Sequence, residues 1–208
     1  MGDLVLTQEE VNPVMAALLS GGIRITALHN HLLRASPATI YMHVLGQGDP
    51  ARLAATLRAA LALSKTPLQP SSAPATQPAL DLDTAAIDRV MRASGKANGG
   101  VYQFTIPRRE TVMQAGMAEP ASMGTGTAIN FQPTGGGKAA VTGDFVLLAS
   151  EVGPVMRALR SGGIDVTALH THMLDEHPKL YFMHFWAVGD ARRLATALRA
   201  ALDRTNVR

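Results

Sequence analysis

Three observations predict an α+β fold of two pseudo-repeated β-α-β-β-α units, with antiparallel sheets covered by helices. First, residues 11–61 reappear as residues 152–202 without a gap. Roughly 30 of about 50 aligned positions are identical, at a spacing far beyond the 20–50 residues of solenoid repeats. Second, each copy switches between period-2 alternation, the mark of a half-buried strand, and apolar recurrence every three to four residues, the mark of a helix. Third, Gly, Pro and Asn stand at the switches.

The elements follow in order. Asp3 to Leu6 is a short apolar strand. Asn12 to Ser20 is a helix: Asn12 suits the cap, Pro13 the first turn, and Gly21-Gly22 the stop. Gly153-Pro154 and Gly162-Gly163 repeat this punctuation. Ile23 to Leu33 is a strand with Ile23, Ile25, Ala27, His29, His31 and Leu33 on one face. A turn at Ser36-Pro37 leads to a strand from Thr39 to Leu45. Asp49 or Pro50 then opens a helix to about Leu63, and Asp190 opens its counterpart. Between the copies, Leu82 to Ala93 reads as a helix. Val101–Ile106, Thr111–Ala115, Thr127–Gln132 and Lys138–Leu148 read as strands divided by Gly-rich turns.

This ordering divides the chain into a first, incomplete repeat unit (1–63), a Pro/Ser/Ala-rich linker (64–80) and a second, complete unit (81–208). The linker, with Pro67, Pro70, Pro74 and Pro78, is expected to be extended and mobile because it cannot build a core. Met1-Gly2-Asp3 aligns with Thr142-Gly143-Asp144, so the first copy reads as the back half of a unit and the chain as an N-terminally shortened form. A homo-oligomer that completes the first repeat is the partner this suggests.

Composition narrows the function. The formal net charge is +3 and no run of five or six basic residues occurs, which argues against nucleic-acid binding. The absence of cysteine removes thiol chemistry, disulfides and Cys-based zinc sites. No apolar run reaches the ~18 residues of a membrane span, and no signal peptide precedes the fold. Gly135-Gly136-Gly137-Lys138 lacks phosphate-loop spacing, and no GxSxG elbow is present. Arg108-Arg109-Glu110 reads as an exposed strand end or a weak anion site. Met15, Met42 and Met183 read as core rather than copper ligands.

The histidines carry the chemistry. Each copy holds an H-x-H and a later histidine: His29, His31 and His43 in the first, His170, His172 and His184 in the second. Residues two apart on a strand project together. A turn centred near Ser36 places His43 opposite His29, and one centred on His177 places His184 opposite His170. Three imidazoles then gather within reach of one ion, whereas a one-residue slip sends the third to the other face. Three ring nitrogens suit Zn2+ or another divalent transition metal. Glu10 and Glu151, aligned before the first helix of each copy, are candidate fourth ligands or partners of a ligating histidine. A capping box with Thr7 explains Glu10, but Leu148 replaces that Thr in the second copy. The second copy adds Asp175, Glu176 and His177 at the turn and Phe182 and Trp186 near His184, so it is the copy favoured for chemistry.

The elements TALHxH, MHxW and GD–LA–ALRAAL in GDFVLLASEVGPVMRALRSGGIDVTALHTHMLDEHPKLYFMHFWAVGDARRLATALRAAL are similar to the repeated domain of the LppY/LpqO-type bacterial proteins, a domain of unknown function. The resemblance covers nearly the whole chain. It implies the duplicated α+β unit and an exported or periplasmic setting, and it brings no established reaction.

The leading expectation is a zinc-like transition-metal binding protein using His170, His172, His184 and Glu151, with His29, His31, His43 and Glu10 as equivalents. One alternative is a metal-assisted hydrolase or lyase acting on a small molecule or glycan, with Glu151, Asp175 or Glu176 as base. The other is a metal-free module in which the histidines line a ligand pocket or hold the halves together. Whether the protein is an enzyme stays open at this point.

Overall fold

A computed structural model describes residues 1–69 and 79–207. Pro70, Pro74 and Pro78 of the expected linker lie outside the described residues. The fold is α+β and divides into two compact units. One is Met1–Pro74 with His172–Leu174; the other is Ala75–Thr171 with Asp175–Arg208.

In the first unit, β1 (Gly2–Thr7), β2 (Arg24–His29) and β3 (Thr39–Leu45) form an antiparallel sheet of order β1-β3-β2. Two helices accompany it, α1 (Gln8–Ser20) and α2 (Pro50–Leu61). Val14 and Leu18 of α1 pack with Leu6, Ile23, Met42 and Val44 in one apolar cluster. The four-residue spacing of Val14 and Leu18 sets them on one helix face, the face turned inward. Asp49 caps α2, its Oδ1 accepting from the Arg52 amide at 2.8 Å.

The helix α1 begins at Gln8, four residues before the expected Asn12, and holds Pro13 in its interior. Its start is secured by Glu10, whose Oε2 accepts from the Thr7 amide at 2.8 Å while Oε1 accepts from the Lys65 amide at 2.7 Å. Those hydrogen bonds also draw the Glu10 carboxyl below its ordinary range, the Thr7 amide contributing most. The strand expected to reach Leu33 stops at His29. Asn30 donates from its side chain to the Leu32 carbonyl at 3.4 Å, a local turn bond that competes with ladder pairing.

The second unit is built on α3 (Thr84–Met91), β4 (Lys96–Asn98), β5 (Val101–Pro107), β6 (Val112–Gln114), β7 (Met117–Glu119), β8 (Gly126–Gly135), β9 (Lys138–Leu147), α4 (Ala149–Ser161), β10 (Asp165–His170), β11 (Tyr181–Asp190) and α5 (Ala191–Leu202). Six strands form one sheet of order β10-β11-β9-β8-β5-β4, and β6 pairs with β7. The short β4 and β7 are strands that alternation over so few residues cannot signal. The segment β9-α4-β10-β11-α5 repeats β1-α1-β2-β3-α2, with β11 central as β3 is. Its helix α5 buries Ala191, Leu194, Ala195, Leu198, Ala201 and Leu202, a complete i, i+3, i+4, i+7 stripe. These meet Phe104, Phe131, Phe145 and Phe185 of the sheet, each at most 1 % exposed. Burial of each such ring stabilises by roughly 1.5–3 kcal/mol relative to exposure.

A buried ion network ties α4 to the sheet. Arg108 is not an exposed strand end: it is 4 % exposed and its guanidinium is fully used. Nη1 donates to Glu151 Oε2 at 2.7 Å and to the Val146 carbonyl at 2.7 Å; Nη2 donates to Glu151 Oε1 at 3.1 Å. Nε and Nη2 also reach Glu110 at 3.0 and 3.1 Å. Glu151 further accepts from the amides of Leu148 and Asn206 at 2.7 and 2.8 Å. Burial opposes the charge on Arg108, but its two carboxylate partners outweigh that and raise its pKa. Burial likewise opposes charge on Glu110, and the bonds from Asn206 and Arg108 win, leaving its pKa below the ordinary 4.5.

Two outcomes follow. Arg108→Ala strands two carboxylates and is expected to cost about 3–5 kcal/mol in urea unfolding. Because the folded-state pKa of Glu110 is lowered, its stabilisation is present above the unfolded value and is lost as pH falls through the folded one. Glu110→Gln is therefore expected to flatten the decline in melting temperature below about pH 4.5, read by thermal unfolding at stepped pH.

Candidate metal centre

The central strand β3 sets the first unit's histidines. Ala27 pairs with His43 and His29 pairs with Tyr41, so His29 and His43 are diagonal neighbours rather than opposite residues. The observed pairs are centred on residue 35 rather than on Ser36, so each partner lies two residues from the one expected. A two-residue shift keeps side chains on the same face. The rings of His29 and His43 accordingly stack at 4.9 Å, tilted by 12°. A bulge lies between Ile25 and Ala27.

His31 stands beyond the strand end. Its ring lies 5.1 Å from that of His29 and stacks on Tyr41 at 3.4 Å. His172, which groups with this unit, stacks on His43 at 3.7 Å and lies 5.6 Å from His29. His29, His43 and His172 each offer a ligand atom within 4.8 Å of the others, and so do Asp3, His31 and His43. Three points no more than 4.8 Å apart lie within about 2.8 Å of a common centre, against ~2.0–2.1 Å for a zinc–nitrogen bond. Side-chain adjustments of under an ångström would let the three nitrogens share an ion.

The protonation states suit ligation. His29 Nδ1 lies 3.3 Å from the Asn30 carbonyl oxygen. A carbonyl carries no proton, so this Nδ1 is the donor and Nε2 keeps its lone pair. Burial lowers the His29 pKa, the Asn30 carbonyl opposing more weakly, so the ring is neutral at pH 7. The Nε2 atoms of His29, His31, His43 and His172 are all shielded from solvent. Asp3 pairs across the ladder with His43, its Oδ1 3.8 Å from His43 Nε2. Partial burial pushes the Asp3 pKa up to about 6.

The second unit repeats the pattern with its own residues. Ala168 pairs with His184 and His170 with Phe182, again two residues from the register expected about His177. The His170 and His184 rings stack at 4.9 Å and 18°. Asp144 pairs with His184 across the ladder, and Oδ1 lies 3.9 Å from Nε2. His184 Nδ1 donates to the Gly143 carbonyl at 2.9 Å and His170 Nδ1 reaches the Thr171 carbonyl at 3.4 Å, so both again present Nε2.

Of the residues singled out in sequence, His29, His31, His43 and His172 come together in one unit, and His170 and His184 pair in the other. Glu10 and Glu151 join none of the histidine groups among the described residues. Each instead accepts the amide of the residue before its helix, an arrangement that needs no Ser or Thr at that place and so tolerates Leu148. Glu176 is buried against Lys179 and the Leu180 amide. Asp3 and Asp144 are site neighbours that the histidine spacing does not reveal. Their signal was the Gly-Asp dipeptide shared by both copies, legible only once β1 and β9 are known to flank the histidine strands.

Fold and site together define a duplicated α+β protein with clustered histidines that can hold a metal ion. A family model described as Domain of Unknown Function (DUF1259) matches residues 1–63 and 85–204, and the chain belongs to that family. No curated protein and no solved structure matches the chain.

A Cβ on Gly143 would stand 2.0 Å from the Ala128 carbonyl oxygen, so β8 can approach β9 only at a glycine. The same atom on Gly2, in the edge strand β1, meets Val44 Cγ2 at 3.4 Å among the described residues. Gly143→Ala is expected to destabilise by about 1–3 kcal/mol or more in urea unfolding. Gly2→Ala is expected to stay within about 0.5 kcal/mol.

Proposed function

We propose that this protein binds a divalent transition metal of the zinc type through His29, His43 and His172, with Asp3 or His31 as a further ligand. The observation that carries the reading is the meeting of three ligand atoms within 4.8 Å inside one unit. The donor set supports it: imidazole nitrogens suit zinc, copper, nickel and iron, and a nearby carboxylate raises the affinity for a dication. The backbone carbonyl at His29 Nδ1 supports it too, since ligating histidines characteristically donate their second nitrogen to such a group. His170, His184 and Asp144 are the equivalent donors of the second unit. Membership of the LppY/LpqO-type proteins, with an exported setting, is part of the same proposal.

A second reading, a metal-assisted hydrolase or lyase, is favoured by a cleft of about 390 Å³ in the first unit beside His29. Gln8, Asn12 and Asn30 offer amides there, and Val11, Leu28 and Ile40 offer apolar wall. This lining suits an uncharged, hydroxyl-rich small molecule. Among the described residues no helix is long and apolar enough to cross a membrane.

Zinc incubation, exhaustive dialysis and elemental analysis test the proposal. Retention of about one ion per chain at the first unit's site is expected, with His43→Ala losing that ion. A chelator is expected to lower the melting temperature by about 5–10 °C and added zinc to restore it. Retention below about 0.2 ion per chain, or retention unchanged in His43→Ala, overturns the proposal.

A further inference from the structure

We infer that the second unit carries an anion-binding groove, separate from the histidines, for a ligand bearing a phosphate group. The groove lies between α4 and α5, is open to solvent and has a volume of about 770 Å³. Pro154, Arg157, Ala158 and Ser161 line it from α4, at the i, i+3, i+4, i+7 spacing of one helix face. Arg193, Thr196, Ala197 and Ala200 line it from α5, with Arg204 just beyond the helix end.

The floor is small by necessity. A Cβ on Gly162 would stand 2.5 Å from that of Ala197, so glycine lets the two helices close together. Half-buried Ala158 and Ala197 also line the groove, together with three exposed arginines. Among the described residues no carboxylate lines the groove. Asp190 at the start of α5 caps that helix, its Oδ1 accepting the Arg193 amide at 2.8 Å, and three other acids of this unit are held by other arginines. Asp203 accepts from Arg199 at 2.7 Å and lies 3.9 Å from Arg92, Asp165 pairs with Arg160, and Glu151 is held by Arg108. Among the described residues Arg157, Arg193 and Arg204 form no ion pair.

Three like charges facing one concavity raise the local potential and attract an anion. Guanidinium forks match phosphate oxygens two at a time. The volume exceeds that of a bare phosphate and falls within the range of small-molecule sites, so an organic portion would rest on Ala158, Ala197 and Ala200.

The duplication supplies an internal control. At the aligned positions the first copy has Ala16 for Arg157 and Leu63 for Arg204, and only Arg52 matches Arg193. A helix pair needs no arginine at these places to pack, because the first copy forms its pair without two of them. The cationic lining is a property the second copy has in excess of its fold.

The test is a calorimetric titration of the full chain with pyrophosphate, beside cosedimentation with phosphatidylglycerol vesicles and with neutral phosphatidylcholine vesicles. The proposal expects saturable binding to pyrophosphate or to the anionic vesicles, weakened at least about tenfold in Arg157→Ala/Arg204→Ala and by raised salt. Arg52→Ala is expected to leave it unchanged. Pyrophosphate binding without vesicle binding assigns a soluble phosphate ester, and anionic-vesicle binding assigns a lipid headgroup. Circular dichroism checks that the exposed substitutions leave the fold intact. Absence of saturable binding to both probes, or binding that the double variant retains in full, overturns the proposal.

Discussion

Each histidine pair depends on a strand that is hydrogen-bonded on both sides. The strand β3 lies between β1 and β2, and β11 lies between β9 and β10. A central strand cannot slide without breaking two ladders, and parity forbids a one-residue slip because it would turn His43 or His184 to the opposite face. The same double pairing decides the neighbours. One ladder sets Asp3 beside His43 and Asp144 beside His184; the other sets His29 and His170 on the diagonal. The chemistry available to the site, two imidazoles and a carboxylate, thus follows from backbone pairing before any side chain is considered.

Outside that shared frame the copies have diverged in physically intelligible ways. The helix-start glutamate keeps its bond to the preceding amide in both, but in the second copy it is also the acceptor for a buried guanidinium. Arg108 follows β5, so the ion network joins α4 to the strands that precede β9 in the second unit. A buried pair of this kind is weak evidence for net stability, yet it orders α4 against the sheet because a misplaced partner would leave a charge uncompensated. The helix pairs differ as well. The first copy buries little of α2 beyond Ala60, whereas the stripe on α5 is fully covered. The second copy also carries the arginines of the groove.

Much of the architecture was legible in the chain. The apolar run from Thr39 to Leu45 after the Ser36-Pro37 turn marks β3 at both ends as it stands, and Asp49 and Asp190 mark the starts of α2 and α5 through their capping chemistry. The start of α1 departs from the local signal, because Asn12-Pro13 is a good cap and first turn taken by itself. A carboxylate reaching back from Glu10 overrode it, and that bond exists only when Thr7 is already extended. The end of β2 departs from the pattern because Asn30 diverts the backbone into a local turn while the side-chain alternation runs on.

What the sequence determined by itself was periodicity and inventory: two copies, their helices and strands, six paired histidines and the Gly-Asp steps between them. These are local properties, set by residue spacing and by the conformations each residue permits. Tertiary structure alone decided the register, which moved His43 from facing His29 to its diagonal, and the grouping of His172 with His29 and His43. It alone withdrew Glu151 into a buried ion pair and set Asp3 and Asp144 against the rings. The physical reason is that register and grouping depend on which distant segments meet, and a meeting of residues far apart in the chain leaves no trace in the spacing of either one.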